Sequence, residues 1–410
     1  MEGYDKLKSF SSNPLNDVSF IFSSSLDHKL LEDYLKFIKK SRNVNQLHEN
    51  LKLATRKLFA LDSFSECKIE VNPGYQVNTA EVKFLLKEKP FFLYHLEGDM
   101  DPTRFTCKYE FRGLAKRPNL SELRLGYLPD LKNIDGSFSY MDRISIIKDL
   151  SHGFQTGKTI KILDVNAHQS IYFGEIFFKT WNENHKLDIG YHLRSNKIAT
   201  TTASAELIKN CIIPTDKYFI SYTYKNERIL DFPLYLKLRS ELASSQSSFS
   251  KTHISIGHKY NFISDLFLIT KGKIGYLHTF DGKKPCINDM FRYHNVKGFK
   301  YLGNRQYDNE NNFDNAIVGD NLGSQKKLYF EAMLMKKSFP LFTHLRIIPY
   351  VFGSSAYIPE NLSWRDNLRF AVGFGMKWKL PFGILDISYT SRAWRQNGDV
   401  PAEFQVFFNK

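Results

Sequence analysis

The residues of this chain best equipped for chemistry are its 12 histidines and 4 cysteines, and their spacing organises none of them into a site. His152, His168, His192, His253, His258, His278 and His294 are scattered, with no helical His-x-x-x-His and no paired Cys/His spacing, so no metal centre is expected. Cys67, Cys107, Cys211 and Cys286 suggest neither metal ligation nor a disulfide framework. Gly-rich phosphate loops and Gly-x-Ser-x-Gly elbows are absent, and the Gly-x-Gly at Gly373 and Gly375 lies in a strand-like run with no helix after it. No catalytic residue and no cofactor is therefore expected, and the chain reads as a non-enzyme. What remains is ion pairing by a long polar segment, about 281–327, which holds Asn295-Val296-Lys297-Gly298-Phe299 and Gly319-Asp320-Asn321-Leu322-Gly323-Ser324. A connection of that length is usually functional or disordered.

Two kinds of structure must position this segment. Residues 1–16 are polar and read as a flexible leader. Residues 17–25 alternate as a strand, helices follow over 26–42 behind capping serines and over 45–60, and strands over 67–72 and 79–87 flank the turn Pro73-Gly74-Tyr75. The order strand, helix, helix, strand, strand predicts a small α+β domain over 17–98. From Arg104 the helical period disappears. Strands are predicted near 105–113, 119–127, 134–142, 157–166, 170–181, 186–195, 199–209, 217–225, 233–244, 253–261 and 264–280, then, past the long loop, near 328–338, 345–357, 368–380, 384–394 and 403–410.

The faces of these strands identify their solvent. One face of 368–379 carries Leu368, Phe370, Val372, Phe374, Met376 and Trp378, and the other Arg369, Ala371, Gly373, Gly375, Lys377 and Lys379. Tyr218, Ile220, Tyr222 and Tyr224 oppose Phe219, Ser221 and Thr223 in the same way. A soluble sandwich also alternates. About sixteen such strands in series, each of about 9 to 11 residues with a basic or small second face, instead predict a transmembrane β-barrel over 104–410 with lipid outside and a polar lumen inside. No run of about 18 apolar residues occurs, which excludes a membrane-spanning helix. The net charge of +14 is dispersed along alternating strands without a recognition motif, so the partners expected are membrane lipid and a basic lumen, not nucleic acid. Met1 to Ser25 shows no basic region followed by an apolar one, so no secretory signal is expected.

Val296-Lys297-Gly298-Phe299 ahead of the last five strands, Gly319-Asp320-Asn321-Leu322-Gly323 leading into the next strand, and Val372-Gly373-Phe374-Gly375 with Pro381-Phe382-Gly383 resemble the motifs of the outer-membrane β-barrel assembly (BamA-like) superfamily. Phe64 to Gly74 is similar to the strand after the second helix of a POTRA domain. One such domain and no signal look like the mitochondrial branch, that of the sorting and assembly machinery's core barrel subunit. Lys297 stands where the family has Arg, a point charge in place of a bidentate fork. The strand at 345–357 offers Gly353, Ser354 and Ser355 where relatives carry an acidic partner. On alternation alone, Glu331 and Asp386 are lumen-facing carboxylates, either of which could receive Lys297.

The resemblance implies insertion of β-barrel precursors into the mitochondrial outer membrane. The POTRA domain would lie in the intermembrane space, peripheral machinery subunits would sit on the cytosolic face, and unfolded precursors would be the substrate. The lateral seam is expected between the first strand, Phe105, Cys107, Tyr109 and Phe111, and the last, Phe404, Val406 and Phe408. Pro401 restricts pairing just ahead of the latter. The alternatives are a protein-translocating or metabolite channel, and a soluble β-rich binding protein that would extract without detergent.

Overall fold

The computed structural model describes residues 14–100, 103–144, 150–164, 167–180, 184–198, 208–209, 213–226, 234–263, 265–283, 285–292, 296–301, 305–306, 320–321, 323–336, 346–357, 367–380, 383–394 and 399–409.

The N-terminal unit comprises β1 (Asp17–Ser23), α1 (His28–Leu35), α2 (Val44–Ala60), β2 (Phe64–Pro73) and β3 (Thr79–Glu88). Its sheet has the order β1-β3-β2, with β1 parallel and β2 antiparallel to β3. The helical period of α2 buries Leu47, Leu51, Ala54 and Leu58, and these meet Val18, Val82 and Phe84 in one apolar core. The cap of α1 is Asp27, which accepts from the amides of Lys29 and Leu30, in place of the expected serines. Those serines serve Glu88 instead, Ser24 Oγ at 2.7 Å and Ser25 Oγ at 2.7 Å. The end of the expected leader is tied down: the Leu15 amide donates to the Arg42 carbonyl at 2.9 Å and the Asn16 amide to Asn78 at 2.7 Å.

Among the described residues, sixteen strands then form one antiparallel sheet. In chain order they are β4 (Phe92–Met100), β5 (Thr103–Arg112), β6 (Asn119–Leu128), β7 (Asn133–Asp142), β8 (Leu150–Asp164), β9 (Ala167–Thr180), β10 (His185–Ile198), β11 (Thr215–Asn226), β12 (Leu234–Ser244), β13 (Ser248–Ile263) and β14 (Leu266–Thr279). The loop contributes three short pieces, β15 (Phe299–Tyr301), β16 (Arg305–Gln306) and β17 (Asp320–Asn321). The sheet resumes with β18 (Lys326–Lys336), β19 (Ile347–Tyr357), β20 (Leu368–Leu380) and β21 (Gly383–Trp394), and after β22 (Val400–Pro401) closes its run with β23 (Phe404–Asn409). Its two end strands come back beside each other, with Cα atoms of β4 and β23 within 8 Å, so the sheet is rolled.

One strand expectation is corrected. Phe92–Met100, which the sequence reading left inside the small domain, is the first strand of the large sheet and pairs with β5 from Phe92↔Phe111 to Met100↔Thr103. The small domain therefore ends at Glu88, and the barrel begins at Phe92. Phe92, Tyr94 and Leu96 alternate with their neighbours and are exposed on one face, as a strand of this sheet requires. Of the strand expected over 199–209, residues 199–207 lie outside the described ones, and Ile208 and Lys209 are helical.

The faces follow the alternation. Leu368, Phe370, Phe374, Met376 and Trp378 are exposed outward, while Arg369 and Ala371 are buried inside. Among the described residues no helix is long and apolar enough to cross a membrane. With an even number of antiparallel strands, the start of β4 and the end of β23 share one rim with the small domain. The long loop leaves the opposite rim. Asp62 fastens the small domain to the near rim: its carboxylate meets Lys89, with Arg112 and Arg143 each at 3.6 Å, and Arg143 Nη1 donates to the Ala60 carbonyl at 3.0 Å.

Candidate functional site: a loop latch beside an unpaired seam

The segment Val296–Phe299 turns back into the lumen because Gly298 takes φ +90, a region other residues avoid. A Cβ at Gly298 would also lie 2.3 Å from the Ala371 Cβ on β20, so only glycine fits. Val296 and Phe299 then pack with Tyr329, Ala356 and Ala371 from β18, β19 and β20. This cluster anchors the loop to the wall formed by the last strands.

Lys297 reaches from that turn to β21. Its Nζ donates to Asp386 Oδ1 at 3.0 Å and Oδ2 at 3.2 Å, with both side chains about 7% exposed. Of the two carboxylates open on sequence, Asp386 is therefore the partner. Glu331 accepts from the Tyr329 hydroxyl and has Lys271 at 3.6 Å. Tyr350 completes the site: its hydroxyl accepts from Lys297 and donates to Asp386, and its ring lies 4.5 Å from Lys297 Nζ. The ring sits over Gly375, where a Cβ would come within 2.5 Å of it, which gives the Gly-x-Gly of β20 a packing role. Where relatives of the resemblance carry an acid, Ser354 Oγ donates to the Lys297 carbonyl at 2.6 Å.

The same turn is gripped by the last strand. Gln405 on β23 accepts from the Gly298 amide at 2.9 Å and donates through Nε2 to the carbonyls of Phe299 at 3.1 Å and Val296 at 3.3 Å. β15 pairs with β22, Phe299 opposite Pro401, and the Ala402 amide donates to Gly298 at 3.0 Å. Asp399, just before β22, is held at 2.9 Å by Arg369 Nε, and both side chains are about 1% exposed. The loop and the last strand thus form one buried unit.

A second cluster anchors the loop's earlier part. Asp289 pairs with Arg194 at 2.7 Å and Lys217 at 3.3 Å, Lys217 pairs with Glu241 at 2.5 Å, and Lys251 donates to the Asp289 carbonyl. Nothing in the sequence singled out these residues, because Arg194 and Asp289 are 95 positions apart and carry no motif. The remaining motif residues serve a different contact. Gly323 packs on Met290, Ser324 bridges to Phe291, and Asp320 lies in the two-residue pairing of β16 with β17. Gly319 and Leu322 lie outside the described residues.

The seam differs from expectation on one side. Phe105, Cys107, Tyr109 and Phe111 belong to β5, which is paired on both edges, to β4 and to β6. The free edge is that of β4. The other side is the expected last strand, carrying Phe404, Val406 and Phe408, and it pairs with β21 from Tyr389↔Phe404 to Ile384↔Asn409. Among the described residues no ladder joins β4 to β23, although they are adjacent.

No protein-family model and no curated protein matches the sequence. Among solved structures, BamA from Haemophilus ducreyi lacking POTRA domains 1-3 superposes with a TM-score of 0.72 at 13% identity, over 95% of this chain and 84% of that one. CdiB from Acinetobacter baumannii gives 0.58 at 10% identity, over 97% and 74%, and CdiB from Escherichia coli gives 0.56 at 8%, over 96% and 75%. These likenesses define the class of fold: a sixteen-stranded barrel of the BamA type, preceded by a small domain of three strands and two helices.

Proposed function

We propose that this chain is a membrane-inserted assembly factor that helps β-barrel precursors enter the mitochondrial outer membrane by templating their strands at the β4–β23 seam. The observation that carries the reading is that seam, two adjacent end strands without a ladder among the described residues. In a lipid bilayer each unpaired backbone N–H or C=O costs several kcal/mol, so an edge left open there favours a strand that pairs with it. A precursor strand brings the same unpaired groups. Adding it to the edge removes both penalties, in the manner of β-augmentation. No bond is made or broken, so the function is non-catalytic.

The small domain is proposed to be a POTRA domain facing the intermembrane space, with peripheral subunits on the opposite, cytosolic face. The sequence resemblance supports the mitochondrial setting. The likeness in fold to BamA supports membrane insertion. A protein-translocating or metabolite channel is the second reading, and the polar lumen favours it.

Depletion separates the two. Loss of an assembly factor lowers assembled outer-membrane barrels and spares helical outer-membrane proteins, whereas equal loss of both, or of neither, overturns the reading. A disulfide introduced between Phe92–Met100 and Phe404–Asn409 should block precursor insertion when oxidised and restore it when reduced.

A further inference from the structure

A cavity of about 300 Å3 opens on the inner faces of the strands from β6 to β12. Arg124 from β6, Lys161 and Gln155 from β8, and Arg239 from β12 line it, with the carboxylates of Asp135 and Glu175. Both carboxylates are engaged: Glu175 Oε1 lies 2.9 Å from His192 Nε2, and Asp135 Oδ2 accepts from the Ile160 amide at 3.3 Å. The cations are less well matched. Arg124 approaches Glu122 at 3.8 Å, and Arg239 approaches Glu241 at 3.4 Å, a carboxylate that Lys217 already holds at 2.5 Å. Lys161 makes no hydrogen bond or ion pair with a described residue. Its strongest Coulombic neighbours are the cations Lys217, Arg239 and Arg194 and the carboxylate Glu241.

Like charges held at fixed positions repel, and low-dielectric walls focus their field into the water between them. A mobile anion in the cavity would relieve this. We propose that the cavity binds a compact soluble polyanion carrying two or three phosphate-like groups, with Arg124, Lys161 and Arg239 as its principal ligands. Guanidinium forks from β6 and β12 suit phosphate oxygens bidentately, Lys161 supplies a point charge, and Gln155 an amide donor. The volume is at the lower end for ligand sites, which suits a small anion over an unfolded acidic segment. The ligand is soluble and not a lipid headgroup, because these residues face the lumen while their strand neighbours Leu125 and Leu242 are exposed on the outer face.

The test is calorimetric titration of sodium tripolyphosphate into the full chain folded in detergent, beside sodium sulfate at matched ionic strength. Saturable one-site binding of tripolyphosphate is expected, weakened about tenfold in each of Lys161→Gln and Arg239→Gln. Lys273→Gln, elsewhere on the lumen wall, should bind as the parent does. Heat-modifiable gel mobility identifies variants that have failed to fold. For these, block of the parent's ion conductance by tripolyphosphate in a planar bilayer replaces the comparison. Absence of saturable heat and of block, equal binding of sulfate, or binding untouched in the folded cavity variants would overturn the proposal.

Discussion

Replacing Lys297 by methionine keeps the length of the side chain and removes its charge. It leaves Asp386, about 5% exposed, without its closest cation. Breaking a buried ion pair by deleting one partner costs roughly 3–5 kcal/mol. Here the Tyr350 hydroxyl still donates to Asp386, and Lys377 lies 3.9 Å away, so the lower end, about 3 kcal/mol, is expected. That is roughly a hundredfold gain in the population of the released loop. The assay is the alkylation rate of a cysteine placed at Val296, which is buried with the latch closed, in a background lacking the native cysteines. The partner variant Asp386→Asn and the double variant complete a cycle. The double should be milder than the sum of the singles, because it leaves no orphan carboxylate. An alkylation rate within twofold of the parent in Lys297→Met, or strict additivity, would refute the claim that this pair holds the loop.

Gly298→Ala should open the latch further than Lys297→Met, since both φ +90 and the 2.3 Å approach to Ala371 oppose a side chain; the same alkylation rate measures it. Gln405→Leu strands the Gly298 amide and two loop carbonyls at about 1–3 kcal/mol each, and Gln405→Glu keeps the acceptor but turns a donor into a charge facing those carbonyls. Both should release the loop, read by proteolysis within 285–301. In the small domain, partial burial pushes the Glu88 carboxyl up, but the hydroxyls of Ser25 and Ser24 and the amides of Ser25 and Leu26 outweigh it and hold the pKa below the usual 4.5. Its stabilisation is therefore present above about pH 4.5 and lost as pH falls through the lower folded value. Hydrogen exchange of residues 24–35, corrected for intrinsic rate, should be faster in Glu88→Gln than in the parent at pH 7 and converge with it in acid.

Local patterns carried much of this architecture. The period of 3.6 in α2 and of 2 in β20 and β11 arises from neighbouring residues, which is why the small core and the outward faces could be read from the chain alone. The charge at Lys297 was equally visible, whereas the restriction to glycine at Gly298 exists only in the turn that sets it against Ala371. Contacts between residues far apart in sequence were not visible. Asp386 and Glu331 present the same inward carboxylate, and only the curvature of the sheet around the loop brings Asp386 to Lys297, 89 positions away. Gln405 reads as one polar position in an alternating strand until β23 is laid beside Val296–Phe299. Phe92–Met100 has the same alternation as its neighbours, but its role as the free edge exists only because the sheet rolls until its ends meet. Alternation determines which face a residue takes, whereas register and closure determine what stands opposite, and those depend on all sixteen strands together.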